Sequence, residues 1–414
     1  MFVAVIVLPV YNSMGPIGIF FKDRLNRTFG IKTKTGITLS HFLNLQNIPI
    51  NATICRNKGK IVTEDHIITE GDILEIEMVR FYDLPTILSK KRLVRVSKNP
   101  IYSKQFISFK NGEIERKIYN YNKEEIKEFV ESIFLNFVLE NQLIKKGDKI
   151  AVGFSGGKDS LALLLLLDRL KAKLPKFKLT AITVAGWEDL TSFEYTKKIC
   201  NKLDIEQIIV HPKEIEEIFN LKNPLFDTLN VIDKNKKERI HTIYFLHQFM
   251  RRGIEESAKK NLINKIFLGL NLEDLFSSFL GFFTTGYEIL DLPQRKIGKL
   301  TFAFPLFPLT KKEIGLYIYI TAKEFSRQGP TTTFDKGPLS RGFYYFVSDK
   351  LQDIWPGIEH HVLEGFKKIN SRKETPDFST CYNCKTLFLF QGKDSQYCDV
   401  CSVLKSLNLR ENKD

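Results

Sequence analysis

One ten-residue stretch limits what this chain can become: Ala151-Val152-Gly153-Phe154-Ser155-Gly156-Gly157-Lys158-Asp159-Ser160. The apolar run 149–154 predicts a buried strand, the glycine pair a sharp turn, and 161–170 a helix. In that order, backbone N–H groups and the positive end of a helix dipole face one spot, which makes an anion site. Gly156 and Gly157 let the backbone turn and approach a phosphate closely. Lys158 adds a mobile positive charge, and Ser155 and Ser160 add hydroxyl donors. The spacing is not that of the common phosphate loop, which puts four residues between its first glycine and Gly-Lys-Ser/Thr. The plain alternative is a glycine turn ahead of a buried helix.

The hexamer Ser-Gly-Gly-x-Asp-Ser is complete at Ser155, Gly156, Gly157, Asp159 and Ser160. It resembles the PP-loop of the N-type ATP pyrophosphatases. The resemblance implies ATP and Mg²⁺ as reactants, attack on the α-phosphorus, transfer of AMP to an oxygen, and release of pyrophosphate. It also implies that Ser155, Gly156, Gly157 and Ser160 hold the phosphates. Lys158 would offset developing charge, and Asp159 or Asp274 would position the Mg²⁺.

Downstream, apolar runs and helical patterns alternate. Strands are predicted at 149–154, 178–185, 206–210, 265–270 and 301–303, with helices near 161–172, 193–203 and 240–258. Such a rhythm predicts an α/β fold, a parallel doubly wound sheet that binds ligands at the C-terminal ends of its strands. Thr183 and Ala185 would then end the second strand, beside the adenine, and Gly269 would leave the fourth. Gly269-Leu270-Asn271-Leu272-Glu273-Asp274 resembles the Gly-His-Asn-x-Asp-Asp turn of PP-loop enzymes that modify tRNA. Asp274 becomes a candidate for metal or proton work, against a plain acidic helix start. Arg251-Arg252 reads as a helix end, with Arg251 a candidate catalytic or phosphate-contacting residue and a helix-dipole partner as the alternative.

Residues 1–82 read as a unit of their own, with a strand at 2–8, a helix at 40–45 capped by Ser40, and a last strand at 73–79 after Gly71-Asp72. The order resembles the β-grasp (ubiquitin-like) sulfur carriers of the ThiS/MoaD type, without their terminal diglycine, so a docking or RNA-contacting module is expected. Residues 83–125 read as a basic connector in which Lys90, Lys91, Arg92 and Arg95 precede Tyr102, Phe106 and Phe109. That interleaving suits RNA, and a solvated strand pair explains it equally. The chain carries 62 Lys and Arg against 48 Asp and Glu, a net charge of +14, which favours a polyanionic partner. The longest strongly apolar run, 161–167, is far short of the ~18 residues of a membrane span. No membrane partner is expected, and the absence of a recognisable address favours the cytoplasm.

Further on, the resemblance narrows to the tRNA 2-thiouridine synthetases, over about 125–410. It is carried by Lys145-Lys146-Gly147-Asp148 before the PP-loop, the Arg-Arg pair, Asn271-Leu272-Glu273-Asp274, Pro305-Leu306, and Trp355-Pro356-Gly357-Ile358. Cys381-x2-Cys384 and Cys398-x2-Cys401 supply four thiolates at the spacing of a structural Zn²⁺ site, a disulfide pair being the alternative. The family carries a similar C-terminal zinc module. It also uses three core cysteines for an iron–sulfur cluster or a persulfide. Here those positions are Tyr244, His247 and Ala303, so no iron–sulfur cluster is expected. The domains are therefore 1–82 β-grasp, 83–125 connector, 126–325 PP-loop domain, 326–375 helical extension and 376–414 zinc ribbon.

The function so implied is adenylation of a tRNA base oxygen for 2-thiouridine-type thiolation. A lysidine-type amine nucleophile and a nucleotide- or tRNA-binding protein without turnover are the alternatives. The expected partners are tRNA and a sulfur-carrier protein, with a homodimer left open.

Overall fold

The computed structural model describes residues 2–4, 18–22, 28–31, 35–45, 53–78, 90–110, 113–184, 190–234, 242–285, 291–325, 341–370, 378–389 and 396–411. The chain divides into two units, Met1–Ile87 and Leu88–Asp414. The boundary expected after residue 82 falls outside the described residues.

In the first unit, strands β1 (Phe2–Ala4), β2 (Gly18–Lys22) and β3 (Thr28–Ile31) precede helix α1 (Leu39–Leu45). Then come β4 (Thr53–Asn57), β5 (Lys60–Val62) and β6 (Ile73–Met78). The sheet order is β3-β2-β6-β4-β5, with β2 parallel to β6 and β1 antiparallel to β6. Leu39, Phe42, Leu43, Cys55, Ile68, Leu74 and Ile76 form the core beneath the helix. The cap of α1 is Thr38, whose hydroxyl accepts from the His41 N–H at 3.2 Å. Ser40, expected in that role, lies inside the first turn, and its hydroxyl meets that of Thr38.

The Gly71-Asp72 turn is built on a buried carboxylate. Asp72 accepts from the Thr69 N–H (2.8 Å), Asn57 (2.6 Å), His66 (3.0 Å) and the Thr69 hydroxyl (3.2 Å). Burial alone would raise its pKa, but these hydrogen bonds outweigh burial and bring it down to about 2. Asp72→Ala should therefore cost this unit about 1 kcal/mol or more, because the half-buried donors Asn57 and His66 lose their acceptor and the turn at Thr69 loses its brace. A depressed carboxylate pKa contributes stability above the ordinary value of 3.8 and loses it as pH falls toward about 2. Urea unfolding of wild type and variant should differ at pH 6 and converge as pH drops through that window.

In the second unit, β7 (Lys90–Arg95), β8 (Tyr102–Lys110) and β9 (Glu113–Tyr121) form a sheet in the order β7-β9-β8. The segment read as a periodicity-poor connector is therefore a three-stranded sheet. Within it, Tyr102, Ile107 and Tyr121 are buried. The Tyr102 hydroxyl donates to Glu313 Oε1 at 2.9 Å, and Lys104 Nζ pairs with the same oxygen at 2.7 Å. Tyr102, one of the residues that read as an RNA surface, is thus spent with Lys104 on a buried carboxylate of the same unit.

Helix α2 (Lys123–Glu140) follows, opened by a reciprocal cap between Asn122 and Glu125 and buried along Ile126, Val130, Phe134 and Val138. The central sheet then alternates with helices: β10 (Lys149–Gly153), α3 (Lys158–Leu170), β11 (Lys178–Val184), α4 (Leu190–Lys202) and β12 (Glu206–Val210). Next come α5 (Pro212–Phe219), α6 (Leu225–Lys234), α7 (Thr242–Lys260), β13 (Lys265–Phe267) and α8 (Leu272–Thr285). The sheet closes with β14 (Gln294–Ile297) and β15 (Leu300–Ala303), followed by α9 (Lys311–Thr321), α10 (Arg341–Ile354) and α11 (Ile358–Asn370). Strand order is β12-β11-β10-β13-β15-β14, with the first five strands parallel and β14 antiparallel at the edge. One face packs Ile150, Val152, Phe267 and Ala303 against the leucines of α3, and the other packs Ala151, Ile182, Ile266 and Phe302 against Phe245 and Phe249 of α7.

The C-terminal segment, β16 (Phe378–Thr380), β17 (Leu387–Leu389) and α12 (Asp399–Ser406), joins that second face. Among the described residues, no helix is long and apolar enough to cross a membrane.

Candidate active site

Strand β10 ends at Gly153, and α3 begins at Lys158 after a turn in which Gly156 has φ +80°. A side chain at Gly156 would be strained by that φ and would also meet Thr196 Cγ2 at 3.0 Å. Gly157 caps α3 with its backbone alone, so the first N–H groups of the helix have no side chain over them. The Ser155 and Ser160 hydroxyls lie 3.2 Å apart, and Ser160 donates to the Gly157 carbonyl at 3.1 Å. Lys158 is exposed, and its ammonium has no partner among the described residues. The six residues together form an open cradle of N–H and O–H donors with one cation at its lip.

Three further contacts brace this turn. Thr183, expected beside the adenine, is buried, and its hydroxyl donates to the Phe154 carbonyl at 2.9 Å. Gln207 donates to Thr183 Oγ1 (2.8 Å) and to Thr196 Oγ1 (3.0 Å), tying β11 and α4 to the entry and the apex of the turn. Ala185 lies outside the described residues.

From the other side, a Cβ on Gly269 would stand 2.9 Å from the Ser160 nitrogen and 3.0 Å from the Asp159 carbonyl carbon. Those are backbone atoms, which cannot swing aside. Gly269→Ala should push the first turn of α3 away from β13 and lower kcat/KM for ATP by on the order of tenfold or more, as misplaced reacting groups do. Pyrophosphate release measured beside thermal unfolding separates this loss from a general loss of fold. Unchanged kinetics would mean the loop does not act through this packing.

Asn271 carries the contact further. Its side chain donates to Asp159 Oδ1 at 3.0 Å and accepts from the Asp274 N–H at 3.0 Å, capping α8. Asp274 is buried, pairs with Lys311 Nζ at 3.0 Å and accepts from the Tyr345 hydroxyl. Its carboxylate is held by cap, cation and phenol, which favours the helix-start alternative over a metal ligand. Glu273 beside it accepts from the Lys311 N–H at 3.0 Å. Burial pushes its carboxyl up to about 7, with Glu359 and Glu313 adding repulsion. Thr196, Gln207 and Lys311 had no motif to announce them in the sequence, and Asn271 stood in the Gly269–Asp274 turn without an assigned role; their roles come from contacts between distant segments.

Arg251 and Arg252 lie within α7, not at its end. Arg252 is 2% exposed; it pairs with Glu255 and Glu256 and donates to the Cys384 carbonyl at 2.5 and 3.1 Å. It is unavailable to phosphate or RNA and binds the helix to the cysteine module. Arg251 pairs with Glu255 at 2.7 Å and lies over the Phe302 ring.

The four thiols of Cys381, Cys384, Cys398 and Cys401 are buried, and all four sulfurs lie within 4.8 Å of one another. Asn383 donates to Cys401 Sγ at 3.4 Å. Hydrogen bonding from the three other thiols pulls the Cys381 thiol well below its ordinary value. Such a set suits a tetrahedral zinc ion or an iron–sulfur cluster. The two other cysteines are unsuited to either: Cys55 is in the first unit, and Cys200 is buried in α4, its thiol pushed up to about 11 by burial.

Strand parity corrects one expectation. Ala303 is buried on the α3 face of the sheet, whereas Tyr244 and His247 are on α7 across the sheet. The residue that β15 turns toward α7 is Phe302.

A PP-loop hexamer lies between the first strand and helix of a parallel sheet, closed from behind by the glycine that leaves β13. In this the chain is similar to the PP-loop adenine nucleotide alpha hydrolases. No protein-family model matches the chain. It is similar to cytoplasmic tRNA 2-thiolation protein 1 of Dictyostelium discoideum, with 25% identity over 282 residues, 66% of this chain and 73% of that protein. It is also similar to the tRNA-cytidine(32) 2-sulfurtransferase of Legionella pneumophila (strain Paris), with 28% identity over 188 residues, 44% of this chain and 56% of that one. The solved PP-loop structure of U34-tRNA thiolase NcsA from Methanococcus maripaludis with its [4Fe-4S] cluster shares the fold at a TM-score of 0.53 and 22% identity. It covers 72% of this chain and 92% of its own. These likenesses lie on the tRNA 2-thiolation branch of the PP-loop proteins.

Proposed function

We propose that this protein is an ATP-dependent tRNA thiolation enzyme. The base oxygen attacks the α-phosphorus, pyrophosphate leaves, and sulfur then displaces AMP from the adenylated base. The observation that carries this reading is the PP-loop itself, a cradle of uncapped N–H groups and two serine hydroxyls with Lys158 at its lip. Backbone donors fixed before the reaction stabilise the charge that builds on the phosphates without reorganising. Asp159, held by Asn271, is the carboxylate nearest that cradle by sequence and the better candidate for positioning Mg²⁺. Asp274 then supports the site from behind, through Asn271.

Zinc is the metal we assign to Cys381, Cys384, Cys398 and Cys401. Four thiolates in two Cys-x2-Cys turns, with Arg252 on the Cys384 carbonyl, make a closed set tied into the sheet. The residues at the sheet edge do not fit an iron–sulfur cluster, because α7, β13, β14 and β15 contain no cysteine. For the first unit, hairpin β2–β3, helix α1 and the central parallel pair β2–β6 support a β-grasp reading and a docking role.

The test is direct. Incubation with ATP and tRNA from a thiolation-deficient strain should give AMP, pyrophosphate and, with a sulfur source, a 2-thionucleoside detected by mass spectrometry. Production of ADP would overturn the reading.

A further inference from the structure

Two guanidinium groups, Arg251 and Arg295, share the α7 face, and among the described residues the carboxylate that acts on both is Glu255. Arg295 stands on β14 opposite Phe302 of β15, so both point toward α7. Arg251, from α7, lies over the Phe302 ring at 5.5 Å, and Arg295 lies over the Phe304 ring at 5.2 Å. Each guanidinium is therefore fixed on an aromatic face, its edge donors left pointing aside.

Those edges are not all used. Arg251 Nη2 and Arg295 Nε are buried and have no hydrogen-bond partner. Arg251 has one carboxylate, Glu255, which Arg252 also claims. Arg295 has no ion pair or hydrogen bond among the described residues. A buried donor left unmade is destabilising, and two like charges add to that, so the fold holds this arrangement at its own expense. Burial, and after it the nearby charge of Arg251, brings the pKa of Arg295 down to about 10. An anion placed between the two groups would satisfy both donors and both charges.

The place matters as much as the charge. Ala303, next to Phe302, gives its carbonyl to the Leu268 N–H, and Gly269 follows directly, packed on Asp159 and Ser160 of the PP-loop. The pair thus connects to the PP-loop through the Ala303–Leu268 bond and Gly269, while facing α7 on the side of the sheet opposite α3.

We propose that Arg251 and Arg295 form the site for the anionic sulfur nucleophile, hydrosulfide, that attacks the adenylated base. The inference rests on the thiolation reading above. This edge of the sheet carries no thiolate to hold sulfur covalently, and Cys200 is buried and protonated. Sulfur therefore arrives as a free anion, and a cationic pocket gathers it and keeps it deprotonated. In the step, the sulfur of HS⁻ forms a bond to the base carbon and the carbon–oxygen bond to AMP breaks. AMP leaves with that oxygen, and the S–H proton passes to solvent as the thiocarbonyl forms.

The experiment is 2-thionucleoside formation by the full chain with ATP, tRNA and sodium sulfide as the only sulfur source. Arg295→Gln should raise the KM for sulfide by about tenfold, as loss of one charge-assisted contact would, and leave the KM for ATP within about twofold. Arg295→Lys, which keeps the charge, should recover most of the difference. A sulfide KM unchanged in Arg295→Gln overturns the proposal. So does a rise in the KM for tRNA in its place, which would make the pair a backbone-phosphate contact. Wild-type protein that releases AMP and pyrophosphate but never thiolates from sulfide also refutes this site while sparing the adenylation. Failure to release pyrophosphate at all refutes the thiolation reading itself.

Discussion

Lys158→Ala should lower tRNA-dependent pyrophosphate release by about 10²–10³-fold, the loss seen when one pre-placed charge-stabilising group is removed from an active site. The folded state should hardly notice. Lys158 is exposed at the first position of α3, has no partner among the described residues, and Ala is a good helix former. A Tm within a few degrees of wild type, alongside collapsed turnover, would separate chemistry from folding. Asp159→Ala should reduce turnover comparably, with some loss of stability because Asn271 loses its 3.0 Å acceptor. Equal turnover in Lys158→Ala would mean that the backbone cradle alone carries the phosphate charge.

Purified protein should contain about one zinc per chain, and Cys384→Ser should lose the metal and open the α7 face. The effect should be large because the module is not an appendage. Cys381, Cys384, Cys398 and Cys401 belong to the same apolar cluster as Phe249, Ile266 and Phe302. Arg252 would lose its carbonyl partner in the same step. The companion measurement is anaerobic treatment of zinc-loaded protein with iron and sulfide. Zinc should stay, and no iron should be gained. Stoichiometric iron alongside retained zinc would require thiolates that the sheet edge does not supply, and would restore a cluster-based sulfur step.

The central sheet was legible because its strands are short apolar runs separated by helices, and buried parallel strands leave few other readings. The predicted strand at 206–210 coincides with β12, and 301–303 falls one residue inside β15. The strand 265–270 was read too long: after Phe267 the chain leaves the sheet to bring Gly269 onto α3, and local hydrophobicity cannot register a close approach. The sheet at 90–121 was hidden for a related reason. Two of its buried positions are tyrosines, and Tyr102 and the half-buried Lys104 are satisfied by Glu313, about two hundred residues away. Arg252 looked like a surface cation because sequence shows charge and not the carbonyl that takes it up. Arg295 drew no attention at all, since its significance depends on register with Phe302.

The docking of the cysteine module has a consequence for how the protein is made. Asn220 and Lys222, in the bend between α5 and α6, bond through their backbones to Glu411 and Leu409. The sheet from Lys149 to Ala303 leaves the ribosome long before these partners do. Until the last cysteines emerge, α5 to α7 cover that side of the nascent sheet, and the share of it that the cysteine module buries stays open. With a metal ion as the proposed centre of this module, ion availability at the moment of synthesis would limit how many copies mature, and metal-starved cells would be expected to accumulate half-finished chains for proteolysis.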